Sequence, residues 1–176
     1  MNNVLITAVL LLIFTNLNAQ DDNHRIFDEK SGKDILIGTV TRDGLITMGD
    51  WFNEAYNAYL PDQEIISSLK SQSSKYPYVF IVLGSWCGDS REQVPHFLKI
   101  MDQLSYPPEQ IFMVAVDRDK KAGNFCIGDF NVTLVPTFIF SIDGEETGRI
   151  IETPVTSLEK DFLNILNSKV VIPENK

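Results

Sequence analysis

Cysteine is scarce in this chain: Cys87 and Cys126 are the only two in 176 residues. A framework of several disulfides is therefore excluded, and at most one internal bridge is available. Histidine is limited to His24 and His96. No histidine-rich metal centre can be built from two, and Asp117, Asp119, Glu145 and Glu146 sit in turn-rich acidic stretches with no His or Cys at ligand spacing. No metal and no other cofactor is expected. Positive charge is also short, with 15 Lys and Arg against 24 Asp and Glu and a net charge of −9. Such a surface repels phosphate, which argues against nucleic acid or an anionic membrane as partner. The chain has no glycine-rich phosphate loop, no nucleophilic-serine elbow and no dinucleotide fingerprint.

Apolar residues make up 44% of the chain, enough to bury one good core. The first nineteen residues contain no Asp, Glu, Lys or Arg, and Val4 to Phe14 is apolar except for Thr7. This stretch reads as a secretory signal peptide over residues 1–19, since the apolar run is shorter than the ~20 residues a spanning helix needs. No cysteine follows it to accept a lipid. The expected location is therefore exported, periplasmic or in the cell envelope, with the mature chain not membrane-inserted. Disulfides persist in such compartments, so redox chemistry at the two cysteines is plausible.

Residues 21–33 are polar and read as a mobile lead-in. Ile35 to Val40 is a strand by composition, and "TRDGLIT" reads as a turn at Asp43-Gly44 into a short extended piece. Asp50 is expected to cap a helix carrying Phe52, Ala55, Tyr56 and Tyr59 on one face. Pro61 stops that helix, and Asp62 begins another with Ile65, Ile66 and Leu69. From Tyr76 the pattern changes to alternating strands and helices. Tyr78 to Leu83 is a central strand, Gly88 to Leu104 a helix interrupted by Pro95, and Ile111 to Val116 a second buried strand. A short helix is expected around Asn124 to Phe130. Thr137 to Phe140 and Gly148 to Ile151 form a hairpin about Asp143-Gly144, and a last helix starts near Ser157. The order from Tyr76 is β-α-β-α-β-β-α.

Cys87 stands where the central strand turns into the long helix, in Gly84-Ser-Trp-Cys-Gly-Asp-Ser90. A helix starting there directs free backbone N–H groups and the positive end of its dipole at the sulfur, an arrangement that favours thiolate, the nucleophilic form. Trp86 supplies an apolar wall, and Gly88 has no side chain to block an approaching disulfide. Arg91, one turn on, either reinforces the charge or points at water. The stripe of the helix around Trp51, Phe52, Tyr56 and Tyr59 is read as added core against the sheet, or else Trp51 is left outside that stripe as an aromatic contact for a partner. His96 is read as a surface or boundary residue rather than a catalytic base.

Trp86-Cys-Gly-Asp-Ser90, Pro95, Val135-Pro136-Thr137 and Asp143-Gly144 together resemble the thioredoxin superfamily, and more narrowly exported bacterial members with a Trp-Cys-Gly-Asp-Ser turn. The resemblance covers about Tyr76 to Asn167. It implies an α/β, thioredoxin-like fold with a central mixed sheet flanked by helices, here carrying an N-terminal strand and helix extension over 20–75. The thioredoxin-like domain would then span 76–167, with a tail over 168–176. It also implies a cysteine facing a cis-proline across a shallow groove, with Trp86, Cys87, Gly88, Asp89, Val135 and Pro136 lining the substrate site.

The departures from the family pattern are as informative. Ser90 stands where disulfide reductases of the family carry a second cysteine, and a hydroxyl cannot resolve a mixed disulfide. Ile81 stands where many carry a buried carboxylate. A site with no resolving thiol needs no base to activate one. Asp89 puts a negative charge beside the sulfur, which opposes the helix dipole. Cys126, ten residues before Pro136, is read either as a resolving partner or as a small buried apolar residue.

The leading expectation is thiol–disulfide exchange through a single cysteine of the Cys-x-x-Ser type, with catalysis assigned to Cys87, Ser90 and Cys126. The partner is a protein or small molecule bearing a thiol or disulfide. The alternative is a non-catalytic thioredoxin-like module that binds extended peptides. A peroxidase ranks third, because the Thr and Arg that usually surround a peroxidatic cysteine have no counterpart upstream.

Overall fold

The structure, a computed structural model, describes residues 22–168, so the expected signal peptide and nearly all of the C-terminal tail lie outside the described residues. A mixed sheet of six strands runs in the order β1-β2-β4-β3-β5-β6. The strands are β1 His24–Asp28, β2 Lys33–Thr39, β3 Tyr78–Leu83, β4 Ile111–Ala115, β5 Thr137–Ile142 and β6 Glu145–Ile151. β3 lies parallel to β4 and antiparallel to β5, and the β5–β6 hairpin turns at Asp143 and Gly144, both at positive φ (53° and 84°). The helices are α1 Arg42–Ile46, α2 Trp51–Ala58, α3 Gln63–Lys70, α4 Gly88–Leu104 and α5 Leu158–Asn167.

Alternation along β3 sorts its side chains between two apolar clusters. Val79, Ile81 and Leu83 enter the larger one, which draws on all five helices through Leu45, Phe52, Ile66, Phe97 and Phe162 among others. At its centre the Phe97 ring sits 4.6 Å from Phe138, and Phe140 stacks on Phe162 at 5.0 Å. Val82 turns to the opposite face, where it packs with Val114, Val116, Ala122, Ile127 and Val135. A strand covered on both faces reads as a continuous apolar run, as Tyr78 to Leu83 does.

Four local expectations fail. The lead-in over 21–33 contains strand β1, paired along its whole length with β2. β1 lies at the edge of the sheet and shows solvent most of its residues, so its composition stays polar. Asp28 closes the hairpin by accepting from the Ser31 N–H and hydroxyl at 3.1 and 2.6 Å. "TRDGLIT" forms helix α1 rather than a turn and strand, because the Thr41 hydroxyl accepts from the Gly44 N–H at 3.1 Å and Leu45 is drawn wholly into the core. The segment 124–130 is not an α-helix: only Gly128–Phe130 makes a 3-10 turn, and the rest is irregular chain laid over the sheet. The β-α-β-α-β-β-α order therefore lacks its second helix. Asp62 caps α3 through the Glu64 and Ile65 N–H groups. Asp50 precedes α2 without a side-chain cap.

The extension is continuous with the rest. β2 pairs antiparallel with β4 at Gly38–Ala115 and Thr39–Val114, and the buried Glu159 of α5 accepts from the Tyr59 hydroxyl at 2.6 Å and the Asp62 N–H at 3.0 Å. Among the described residues no helix is long and apolar enough to cross a membrane.

Candidate active site

The turn from β3 to α4 is fastened from four sides. The Cys87 N–H donates to the Gly84 carbonyl at 2.8 Å, and the Gly84 N–H donates to the Ser90 hydroxyl at 3.1 Å. The Ser85 hydroxyl, wholly buried, accepts from the Leu36 N–H of β2 at 2.9 Å. The Arg91 Nε donates to the Ser85 carbonyl at 2.6 Å, and the guanidinium lies 5.7 Å from the Trp51 ring centroid. Arg91 therefore neither faces the sulfur nor points at water, as either sequence expectation had it. It holds the turn, and it covers Trp51, which packs half-buried against the core.

The Trp86 ring lies directly on Gly84. A Cβ at that position would meet the indole at 2.8 Å, so only glycine lets the ring come down. Its Nε1 donates to the Val116 carbonyl at 2.8 Å. On the ring rest the Arg118 guanidinium, 4.6 Å from the centroid, and the Lys120 ammonium at 5.6 Å.

Cys87 is the residue preceding α4, in extended conformation, and its carbonyl accepts from the Arg91 N–H at 3.1 Å. The sulfur is partly exposed and lies 3.2 Å from the Val135 carbonyl oxygen and 3.9 Å from Asp89 Oδ2. Both neighbours are acceptors, to which an S–H can donate. Gly88 is exposed with open space where a side chain would project. The Val135–Pro136 peptide is cis, and both residues are buried, leaving Leu134 exposed beside them.

Of the residues singled out in the sequence, Trp86, Cys87, Gly88, Asp89 and Val135-Pro136 thus converge at one surface. Ser90 does not present its hydroxyl there: it is 2% exposed, and its oxygen is taken by the Gly84 N–H. Cys126 is neither buried nor helical. It is exposed in the irregular segment, and both cysteines are free thiols. His96 stacks on Tyr59 at 4.2 Å, and burial holds its imidazole below the ordinary value. A depression of 460 Å³ opens between β1, β2 and the connector after β4, lined in part by His24, Thr39, Asp117 and Gly123. Cys87 is not part of it.

Sequence reasoning missed Ser85, Arg118, Lys120 and Asp28. Arg118 and Lys120 were visible only as members of a charged connector, and nothing local announces that Asp28 meets Arg118 across 90 positions of chain.

The Thioredoxin family profile matches residues 62–164. Mitochondrial thioredoxin O of Oryza sativa subsp. japonica is 32% identical over 90 residues, which are 51% of this chain and 49% of that protein. Mitochondrial thioredoxin-3 of Saccharomyces cerevisiae is 33% identical over 81 residues, 46% of this chain and 59% of that one. The TPR repeat-containing thioredoxin TDX of Arabidopsis thaliana is 29% identical over 122 residues, 64% of this chain and 30% of its own length. The matches thus span between about a third and three fifths of these relatives.

Proposed function

The chain belongs to the thioredoxin family and has its fold, and on that premise we propose that it exchanges thiols and disulfides through the single cysteine Cys87. One observation carries the reading. An accessible sulfur stands at the start of α4 against the Val135 carbonyl, while the position three residues on holds a buried hydroxyl already bonded to the backbone. In the forward step the Cys87 thiolate attacks one sulfur of a disulfide. A Cys87–substrate S–S bond forms, the substrate S–S bond breaks, and the departing thiolate takes up a proton. Ser90 offers no thiol for the return step, so an external thiol attacks the mixed disulfide and releases Cys87 as thiolate. The exchange conserves electrons, and net reduction of a substrate consumes two external thiols. The open face at Gly88 and the backbone of Val135 support an extended, thiol- or disulfide-bearing polypeptide or a small thiol as partner. The acid- and base-free stretch 1–19 supports export to the periplasm or cell envelope.

A second reading is a peptide-binding module with an idle thiol. It is favoured by the two acceptors, Val135 O and Asp89 Oδ2, that face the sulfur. Incubation with a disulfide peptide, followed by mass mapping, separates the two. Exchange predicts an adduct on Cys87 that is absent in Cys87→Ser and released by added thiol, whereas no adduct on the folded protein supports the module. A Cys87–Cys126 bridge under mild oxidation would overturn the single-cysteine reading.

A further inference from the structure

A cationic group resting on Trp86, the neighbour of Cys87, is anchored from outside the matched family stretch. Arg118, just after β4, lies over Trp86 with Lys120 beside it. Its position is fixed by Asp28 at the end of β1: Nε donates to the two carboxylate oxygens at 3.0 and 3.2 Å, and Nη2 donates to Oδ2 at 2.8 Å. Asp28 is itself tied to Ser31, and it precedes the matched residues 62–164. The carboxylate side chain is 9% exposed and the arginine 29%, so the anchor is shielded and the guanidinium is presented. The Arg118 guanidinium is held above its ordinary value first by the hydrogen bond to Asp28, with the nearness of Cys87 a smaller cause in the same direction. The other groups facing the sulfur are the Val135 carbonyl and Asp89.

We propose that the N-terminal hairpin is part of the exchange site: Asp28 is a positioning residue that pins Arg118 over Trp86, and the guanidinium, with Lys120, favours disulfides carrying carboxylates next to the scissile bond. The substrate class rests on the exchange reading above. The pinned charge at the cysteine does not, and it can be measured without any disulfide.

The measurement is alkylation of Cys87 in the full chain, in a Cys126→Ser background, by iodoacetate and by iodoacetamide. Each reagent forms an S–C bond to the same ionised sulfur and releases iodide, so the ionised fraction cancels in the ratio of the two rates. What remains is the preference for an anionic over a neutral approach. Arg118→Gln is expected to lower the anionic-to-neutral ratio by about threefold or more. Asp28→Asn is expected to lower it as well, because the unpinned guanidinium leaves the ring. The double variant should fall no lower than Arg118→Gln alone. In a Trp51→Phe background both single variants should shift the Trp86 emission. Added salt should bring the unsubstituted ratio down toward the Arg118→Gln value, a result that requires no substitution to fold. A ratio that rises in Asp28→Asn would mean that Asp28 merely neutralises a charge, and that overturns the positioning role. A ratio indifferent to both Arg118→Gln and salt overturns the whole proposal. Absence of a disulfide adduct on Cys87 with a normal alkylation ratio defeats exchange and leaves the pinned charge standing.

Discussion

At the scale of single residues, the difference between this site and a two-cysteine one lies in Ser90. Its oxygen closes the turn on Gly84 from a buried position, so replacing it by sulfur exchanges a good acceptor for a poor one. Ser90→Cys is expected to cost about 0.5–1.5 kcal/mol in denaturant unfolding, the net value of a typical hydrogen bond. It is also expected to let the adduct on Cys87 release without external thiol, followed as adduct decay by mass spectrometry. Decay that still requires added thiol would mean the new sulfur stays locked beneath the turn. Asp28 makes a separate prediction. Hydrogen bonds from Arg118 and then Ser31 hold its carboxyl far below the ordinary carboxylate range. A group depressed in the folded state contributes stability above its unfolded value, about 3.9, and loses that contribution as pH falls through the folded value. The thermal midpoint should therefore fall more steeply below about pH 4 in the unsubstituted chain than in Asp28→Asn, as scanning calorimetry across the acid range would show.

Among the elements, legibility in the sequence followed partners. β3, β4, α4 and α5 bury their apolar residues at the spacing of their own geometry, and Ser157 caps α5 through the Lys160 N–H, so both pattern and boundary can be read locally. Trp86, Cys87 and Val135-Pro136 were legible for the same reason: each belongs to a short motif. β1 was not, because an edge strand with a wet outer side keeps a polar composition. α1 was missed because Asp43-Gly44 has the chemistry of a turn while the deciding contact, Leu45 in the core, is long-range. The absent helix over 124–130 has a related cause: Phe125, Ile127 and Phe130 cover the sheet from irregular chain, with Phe80 stacked on Phe130 at 4.4 Å. The joint between α2, α3 and α5 was equally unreadable, since it rests on Glu159 meeting Tyr59 across 100 positions. Tyr59→Phe leaves that buried carboxylate one donor short and should destabilise the fold by about 1–3 kcal/mol. Chemical denaturation measures it, and an unchanged midpoint would show that water replaces the hydroxyl.

For the molecule as a whole, the extension and the matched stretch share one core. Leu36, Val40, Leu45 and Phe52 sit in the same cluster as Phe97 and Phe162, and β2 covers the outer edge of β4. A chain beginning at residue 62 would expose that edge together with the apolar faces of α4 and β4. It is expected to show no cooperative thermal transition and to associate through the open strand. A sharp two-state melt of that fragment would show the extension to be an accessory. The exposed sulfur of Cys126 has its own consequence for the intact protein. Air can couple two copies through it, so a stock ageing without reductant drifts toward covalent pairs that mimic assembly on a sizing column. Apparent mass and thiol count then become functions of storage time, and freshly reduced material is the only sound reference for either.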